Sequence, residues 1–408
     1  MRILLALLIA TPLFAQVPRY QEELTVAEVT LEMTVTDRDG KPVTGLTAND
    51  FELLEDGKPV AITFFREVNA AAPPRAAAGS APATAEPLSA EPRTLFIFLD
   101  NREVGESIRR RMFNSLRTTV TEAMESGAGV FYFVWTGKLQ AVKPKDLPRA
   151  MELLEQFEKD EAFVRGAKGG NRSRTKSLEF DLELSQAMAR TKSLDLLAAL
   201  DASAKIAMRF PGRRILLFAS RGFSIPAPTR QDSKILEDAV GSAFEGHPLA
   251  TDELEGNLFA PDLLIPTHGA AALGTSIEDA AAAVANRYGI PVYGLFTGGL
   301  EAAATRTGIQ TGGIPEPFSI TAAQAQLPRE VGSITDLAFR TGGVALGAGS
   351  NFGPFLENVT RDLNHFYTLA YRSSGELRFR KLEVRPKDRA LKVRHREAAV
   401  PDDDAAMR

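Results

Sequence analysis

TLFIFLD, at Thr94–Asp100, is a run of large apolar residues that ends in an acid, and it decides the fold of this chain. Two later stretches repeat the pattern, VFYFVWT at Val130–Thr136 and RILLFAS at Arg214–Ser220. Strands that are buried on both faces give such continuous apolar runs, whereas strands with one wet face alternate apolar and polar residues. The three stretches therefore predict strands of a mostly parallel sheet that is covered by helices on both faces.

Apolar residues at helical spacing lie between and after these strands. They predict six helices, at Ile108–Met124, Asp146–Phe157, Ser193–Met208, Ile277–Tyr288, Ser333–Arg340 and Phe355–Phe366. Two further strands are predicted at Pro291–Phe296 and Val344–Leu346. The alternation predicts one α/β domain over residues 93–366. Long insertions, which are either functional or disordered in compact domains, interrupt it at residues 163–177, 226–274 and 298–328.

Both flanks of this domain alternate apolar and polar residues, as strands with one buried face do. Residues 16–68 form an N-terminal β unit with hairpin turns at Asp39-Gly40 and Asp56-Gly57, and residues 367–400 predict three more strands. So few strands are marginal alone, and the Ala/Pro-rich linker at residues 69–92 lets the two sets meet. We expect one small β-sandwich-like domain, which buries Val29, Leu31, Met33 and Val35 against Leu382, Val384, Leu391 and Val393.

The two ends of the chain have their own patterns. Residues 1–15 have a basic start at Arg2, an apolar run over Ile3–Ala10 and a small residue at Ala15, which is typical of a secretory signal peptide. The run is shorter than the roughly 20 residues of a membrane span. We expect an exported protein, periplasmic or secreted, whose mature chain has no membrane span. Residues 401–408 form an acidic tail.

Composition narrows the class of partner and of chemistry. The formal net charge of -4 offers no basic footprint for nucleic acid or anionic lipid, so neither is expected as a partner. The chain has no cysteine, which excludes disulfides, thiolate metal sites and thiol nucleophiles. An exported protein of this kind must be stabilised by its apolar cores.

The order of these elements resembles the von Willebrand factor A fold, a Rossmann-like α/β fold, and in particular the VWFA-related proteins of acidobacteria. The stretches that carry the resemblance follow one another over nearly the whole mature chain. They are VTDRDGKPVTGLTANDFELLEDGKPVAITFF, TLFIFLD, FPGRRILLFASRGFS, IPVYGLFTGGL, LAFRTGGVAL and RDLNHFYTLAYRSSGELRFRKLEVRPKDRALKVRHRE. The resemblance implies recognition of a protein or peptide, in that family beside a bound metal ion.

The metal site that the resemblance implies is degenerate in this chain. The family holds a divalent cation with Asp-x-Ser-x-Ser after the first strand, a loop threonine, and an Asp before a Gly at the end of a later strand. Asp100 is the one clearly retained position, because Arg102 and Val104 stand at the serine positions and Arg221 at the later acid. Arginines repel a cation that needs hard oxygen ligands, and they are expected to pair with Asp100 instead.

The loop hydroxyl of the family's site is either Thr191 or Ser193 in this sequence. With both serines and the second acid replaced, we expect no bound Mg²⁺ or Ca²⁺ at Asp100 and no other cofactor.

Catalytic motifs are missing from the sequence as well. It has no Gly-x-Ser-x-Gly elbow, and GAKGGNRSRTK at Gly166–Lys176 lacks the order of a phosphate-binding loop. The histidines have no metal-ligand spacing; they are His247, His268, His365 and His395. These absences favour a non-enzymatic protein. The alternatives are a hydrolase whose site lies in the insertions and a structural envelope protein.

The expected function is recognition of a protein or peptide by an exported, adhesion-type module. Open α/β sheets bind ligands at the carboxyl ends of their strands. The residues expected to line that edge, as contact or orienting groups and not as catalysts, are Asp100, Arg102, Glu103, Ser193, Arg221 and Thr297.

We expect the mature protein to begin at Gln16, because Ala15 is the only small residue correctly placed after the apolar run. N-terminal sequencing of the exported protein tests this expectation. A cytoplasmic product that keeps Met1 would contradict both the cleavage site and export.

Overall fold

The computed structural model describes residues 26–70, 91–101, 104, 106–159, 178–223, 277–298, 330–347, 351–374 and 379–399. Several segments that the sequence analysis names lie outside these ranges. They are the signal peptide at 1–15, most of the linker at 69–92, the insertions at 163–177 and 226–274, nearly all of the insertion at 298–328, and the tail at 401–408.

The described part of the chain contains fourteen strands, six α-helices and one 3-10 helix at Ala48–Asp50. The strands are β1 Val26–Thr36, β2 Phe51–Glu55, β3 Lys58–Val60, β4 Ile62–Asn69, β5 Arg93–Asp100, β6 Gly129–Trp135, β7 Leu139–Val142, β8 Arg213–Ser220, β9 Val292–Phe296, β10 Ala345–Leu346, β11 His365–Ser374, β12 Arg380–Pro386, β13 Lys392–His395 and β14 Ala398–Ala399. The helices are α1 Glu106–Glu125, α2 Leu147–Lys159, α3 Leu178–Met208, α4 Ile277–Arg287, α5 at residues 330–340 and α6 Phe352–Asn364.

A six-stranded sheet with the order β10-β9-β8-β5-β6-β7 forms the centre of the α/β part. All neighbouring strands are parallel except β7, which pairs antiparallel with β6 at one edge. This confirms the predicted α/β class with a mostly parallel sheet. The sequence did not predict β7, because a stretch of four residues is too short to show a clear alternation.

Helices cover both faces of this sheet. Leu95, Ile97 and Leu99 of β5 lie in one core with apolar residues of α1, α2 and α6. Phe96 and Phe98 lie in a second core with apolar residues of α3, α4 and α5. Every residue of β5 is buried, which explains why its sequence is a continuous apolar run and not an alternating one.

Strands from the two ends of the chain form two four-stranded sheets, with the orders β13-β1-β11-β4 and β14-β12-β2-β3. β11 lies between β1 and β4, and β12 pairs with β2, so each sheet mixes N-terminal and C-terminal strands. The sheets enclose one core that includes Val29, Leu31, Met33, Leu382 and Val384. The flanking strands therefore pair with each other in a small β-sandwich.

Some details of the sandwich differ from the prediction. Val393 was placed across the core from Val35, but the two residues are partners within one sheet, because β13 pairs with β1 along its edge. The C-terminal segment has four strands and not three, since the short β14 pairs with β12. His365 and Phe366 belong to β11 and not to the preceding helix, because the backbone is already extended at His365, which pairs with Asn69.

The amino-terminal edge of the six-stranded sheet faces the sandwich through a buried arginine. Arg213 begins β8 and is only 1% exposed. Its guanidinium donates to the carboxylate of Glu32 in β1 over 2.5 Å and lies 4.6 Å from the ring centre of Phe366 in β11. The charge is thus paired and also stacked on an aromatic face, which makes its burial tolerable.

A buried carboxylate makes a second link between the two parts. Asp362, near the end of α6, is 0% exposed. Its Oδ2 accepts from the hydroxyl of Tyr293 in β9 at 2.8 Å and from the guanidinium of Arg394 in β13 at 2.7 Å. Burial, and after it the nearby Asp362 carboxylate, raises the pKa of Tyr293, so the hydroxyl keeps the proton that it donates.

Replacing Asp362 with asparagine removes the buried carboxylate with which the Arg394 guanidinium pairs. Breaking such a pair costs about 3–5 kcal/mol, so we expect Asp362→Asn to lower the free energy of unfolding by about 3 kcal/mol in urea titrations. Glu383→Gln is the control, because it breaks an exposed ion pair with Arg385 and should leave stability nearly unchanged. Equal effects of the two variants would contradict this role of Asp362.

Candidate functional site

The carboxyl edge of the sheet has a topological switch point between β5 and β8. The chain leaves β5 toward β6 on one side, whereas β8 continues toward β9 and β10 on the other. In open α/β sheets a crevice forms where the strand order reverses in this way, and ligands bind there. Three of the predicted site residues end or follow the strands of this edge, namely Asp100, Arg221 and Thr297.

Asp100 and Ser220 end the two strands at the switch point and contact each other. The hydroxyl of Ser220 donates to Asp100 Oδ2 at 2.9 Å and accepts from the backbone N–H of Gly222 at 3.1 Å. Asp100 is 7% exposed and Ser220 is 0% exposed. The carboxylate is therefore held inside the protein by a neighbouring hydroxyl.

Arg221 pairs with Glu330, a partner that the sequence did not reveal. Its guanidinium donates to Glu330 Oε2 at 3.0 Å, and both side chains are largely buried. Glu330 is the first described residue of α5, which lies far along the chain from Arg221. No local pattern connects the two positions, so only the fold shows that the arginine has an acid of its own.

The chain after β8 passes very close to the first described turn of α5. Gly222 has a φ of +87°, and a Cβ at this position would lie 2.5 Å from the carbonyl oxygen of Glu330 and from the hydroxyl of Ser333. The same hydroxyl accepts from the backbone N–H of Phe223 at 2.8 Å. Glycine is therefore required at residue 222, and α5 fixes the path of the chain at residues 221–223.

Two buried polar atoms at this edge make no hydrogen bond. Asn101 follows β5 and is 2% exposed, and Thr297 follows β9 and is 1% exposed. Within the described ranges, Asn101 Nδ2 and Thr297 Oγ1 are among the buried polar atoms that make no hydrogen bond. Burying an unpaired donor or acceptor costs about 1–3 kcal/mol. Thr297 was predicted as a site residue, and Asn101 was missed although it directly follows a strand of the switch point.

The remaining predicted positions differ in their environment. Ser193 is buried and Thr191 is exposed, and both lie inside helix α3 and not on a loop. The helix begins well before Ser193, which the sequence analysis took as its start. Val104 is buried in the core beside α1, where it acts as an apolar packing residue. Arg102 and Glu103 lie outside the described residues.

Other candidate groups do not join this edge. Among the residues that the structure describes, no three Asp, Glu, His or Cys side chains are grouped so as to hold a metal ion. His365 contacts Glu67 at 3.0 Å, and His395 accepts from the backbone N–H of Val384 at 3.1 Å, both in the sandwich. Burial lowers the pKa of His395 and keeps it neutral for this contact. Gly166–Lys176, His247 and His268 lie outside the described ranges.

None of the helices in the described ranges is both long enough and apolar enough to cross a bilayer.

Magnesium, calcium and manganese should bind weakly or not at all, because Arg102, Val104 and Arg221 stand where the family has oxygen ligands. Calorimetry on chelator-treated protein measures this, and stoichiometric binding with a Kd below about 100 µM would contradict it. The combined variant Arg102→Ser, Arg221→Asp and Glu330→Gln should gain affinity for these cations. Glu330→Gln is included because Arg221→Asp would otherwise leave the buried Glu330 carboxylate without its positively charged partner. Glu330→Gln alone is the control and should gain none.

No model of a protein family matches the chain, and no curated protein matches it either. The functional proposal therefore rests on the topology of the sheet and on the geometry of its carboxyl edge.

Proposed function

We propose that the chain is an exported, non-enzymatic recognition protein with a von Willebrand factor A-like domain, which binds a protein or peptide at the carboxyl edge of its sheet without a metal ion. The strand order and the antiparallel edge strand β7 support this fold. The leader-like residues 1–15 support export. Arg221 supports a site without a metal ion, because its pairing with Glu330 holds a positively charged side chain at a position that would otherwise offer a ligand.

The main support for the proposal is that two buried polar atoms at the switch point make no hydrogen bond. Asn101 Nδ2 and Thr297 Oγ1 are buried where doubly wound folds bind ligands. Their desolvation is unfavourable in the free protein. A bound partner that supplies the missing hydrogen bonds would remove this penalty, and residues that serve binding are often kept at some cost to stability.

The surroundings of Ser220 support a role without catalysis. A serine nucleophile needs a base that takes its proton, in most enzymes a histidine. Here the hydroxyl donates to Asp100, and the two histidines in the described ranges, His365 and His395, lie in the sandwich. Ser220 therefore acts as an orienting group for the carboxylate.

Thr297→Val removes the unpaired hydroxyl and keeps the shape of the side chain. We expect it to raise the free energy of unfolding by about 1 kcal/mol, because a buried polar group without a partner is replaced by a methyl group. Thr341→Val is the matched control, since Thr341 is also 1% exposed. Its hydroxyl accepts from Val292 N at 3.0 Å and donates to Leu337 O at 2.8 Å. The control should lose about 1–2 kcal/mol.

Partner capture gives the second measurement for the same two variants. The mature chain and both variants are immobilised and exposed to the exported fraction of the source cells, and retained proteins are identified by mass spectrometry. We expect a protein retained by the wild type and by Thr341→Val and lost with Thr297→Val. If Thr297→Val destabilises the chain as much as the control and retains the same proteins, the edge is not the binding site.

A further inference from the structure

The imidazole of His395 joins the two sheets of the sandwich. His395 ends β13, which pairs with β1 in one sheet, whereas Val384 lies in β12 of the other sheet. The backbone N–H of Val384 donates to Nε2 of His395 at 3.1 Å, and Nδ1 donates to the carbonyl oxygen of Arg396 at 2.7 Å. Both ring nitrogens are therefore engaged, and the ring bridges from β13 to β12.

The ring takes the place of a strand carbonyl beside β12. Within the described residues, the short strand β14 pairs with β12 only at Arg380 and Lys381, so Val384 lies beyond that pairing. Val384 is 5% exposed. A buried backbone N–H that loses its acceptor is unfavourable, because water cannot replace the lost partner. The contact with His395 therefore holds the two strands together where no strand pairing does.

Only the neutral imidazole can make this contact. Nε2 accepts a hydrogen bond when it carries no proton, whereas the imidazolium has an N–H on both nitrogens. A proton on Nε2 would face the N–H of Val384, and neither group could accept from the other. Burial lowers the pKa of His395 below its ordinary value of about 6.5. The Arg396 carbonyl and the Glu383 carboxylate oppose this shift, whereas the Arg396 guanidinium adds to it.

The charged groups around the ring already have partners of their own. They are Lys381, Glu383 and Arg385 on β12, Arg394 and Arg396 on either side of His395, and Arg340 and Glu397 at the contact with α5. Glu383 accepts from Arg385 at 2.6 Å and 2.9 Å, and Glu397 accepts from Arg340 at 2.5 Å. On β1, the residue opposite His395 is the uncharged Met33. A proton on the ring would thus find no unengaged carboxylate among these groups.

The two residues beside His395 join the sandwich to the α/β domain. Arg394 donates to the buried carboxylate of Asp362 at 2.7 Å. Arg396 donates to the carbonyl oxygen of Asn286 in α4 at 3.1 Å. Because these contacts flank His395 on the same short segment, a change in the position of β13 reaches the joint between the two parts of the molecule.

We propose that His395 is a pH-sensitive latch, which holds β13 against β12 while its imidazole is neutral and releases β13 in mildly acidic surroundings when the imidazole takes up a proton. Release of β13 loosens the contacts that Arg394 and Arg396 make with the α/β domain. The latch lies outside the candidate site at the carboxyl edge and does not depend on what binds there.

Proton linkage gives the direction of the effect. The released ring takes up a proton near pH 6.5, whereas the latched ring does so only at a lower pH. The latch therefore has its full strength above about pH 6.5 and weakens as the pH falls from there to the pKa of the latched ring. Within this window, each pH unit raises the equilibrium constant for release by up to about tenfold.

Amide hydrogen exchange of the full mature chain tests the latch between about pH 8 and about pH 5. Exchange is read by NMR and corrected for the intrinsic rate at each pH. We expect the protection of the Val384 amide and of the β13 amides to be constant above about pH 7 and to fall by up to about tenfold per pH unit below about pH 6.5. The fall should level off at the pH where the imidazole of His395 itself titrates.

Two variants show whether His395 is the responsible group. His395→Gln keeps a side-chain acceptor oxygen but does not titrate, so the protection of Val384 should lose its pH dependence. His365→Gln is the matched control, because His365 also lies in the sandwich, where it contacts Glu67 at 3.0 Å. This control should keep the full pH dependence.

Several results would overturn the inference. They are an imidazole of His395 that is already protonated above about pH 6.5, full protection of Val384 throughout the range, and a wild-type pH dependence in His395→Gln. Loss of protection at Val384 while the β13 amides stay protected would contradict release of the strand. If His395→Gln does not fold, the wild-type protein decides, because a fall in protection that continues below the titration of the His395 imidazole has another cause.

Discussion

The buried carboxylate of Asp362 is the interaction on which the arrangement of this molecule depends. It lies at 0% exposure between the parallel sheet and the sandwich and binds Tyr293 of one and Arg394 of the other. A charge in that position is tolerable only if its partners stay in place. Because α6 ends two residues later and continues directly into β11, the same carboxylate also fixes how the chain enters the centre of the sandwich.

Helix α5 connects this buried interface with the candidate site. In its first described turn Glu330 pairs with Arg221 at the carboxyl edge. At its end Arg340 donates to Glu397 over 2.5 Å, and its carbonyl accepts from the backbone N–H of Glu397 at 2.9 Å. Gly342 then passes so close to the backbone of His395 that a Cβ would lie 2.6 Å away. The path of residues 221–223 and the position of the sandwich thus both depend on helix α5.

The sequence allowed the fold to be predicted wherever burial leaves a periodic trace. Strands β5, β6 and β8 were evident because both of their faces are covered, and the flanking strands were evident because only one face is. Prediction failed where pairing depends on distant residues. β7 is too short to show a pattern, the start of α3 was placed too late, and Val393 joined the sheet of Val35 in place of the opposite one.

The candidate site, like the fold, could be predicted from the sequence only in part. The sequence by itself determined that Asp100, Arg221 and Thr297 follow or end buried strands, and parallel strands bring such positions to one edge. Only the tertiary structure decided that Arg221 pairs with Glu330 and that Asn101 Nδ2 and Thr297 Oγ1 are buried without a hydrogen bond. The physical reason is that burial and ion pairing depend on which distant groups share a space, and α5 reaches Arg221 across more than a hundred residues of chain.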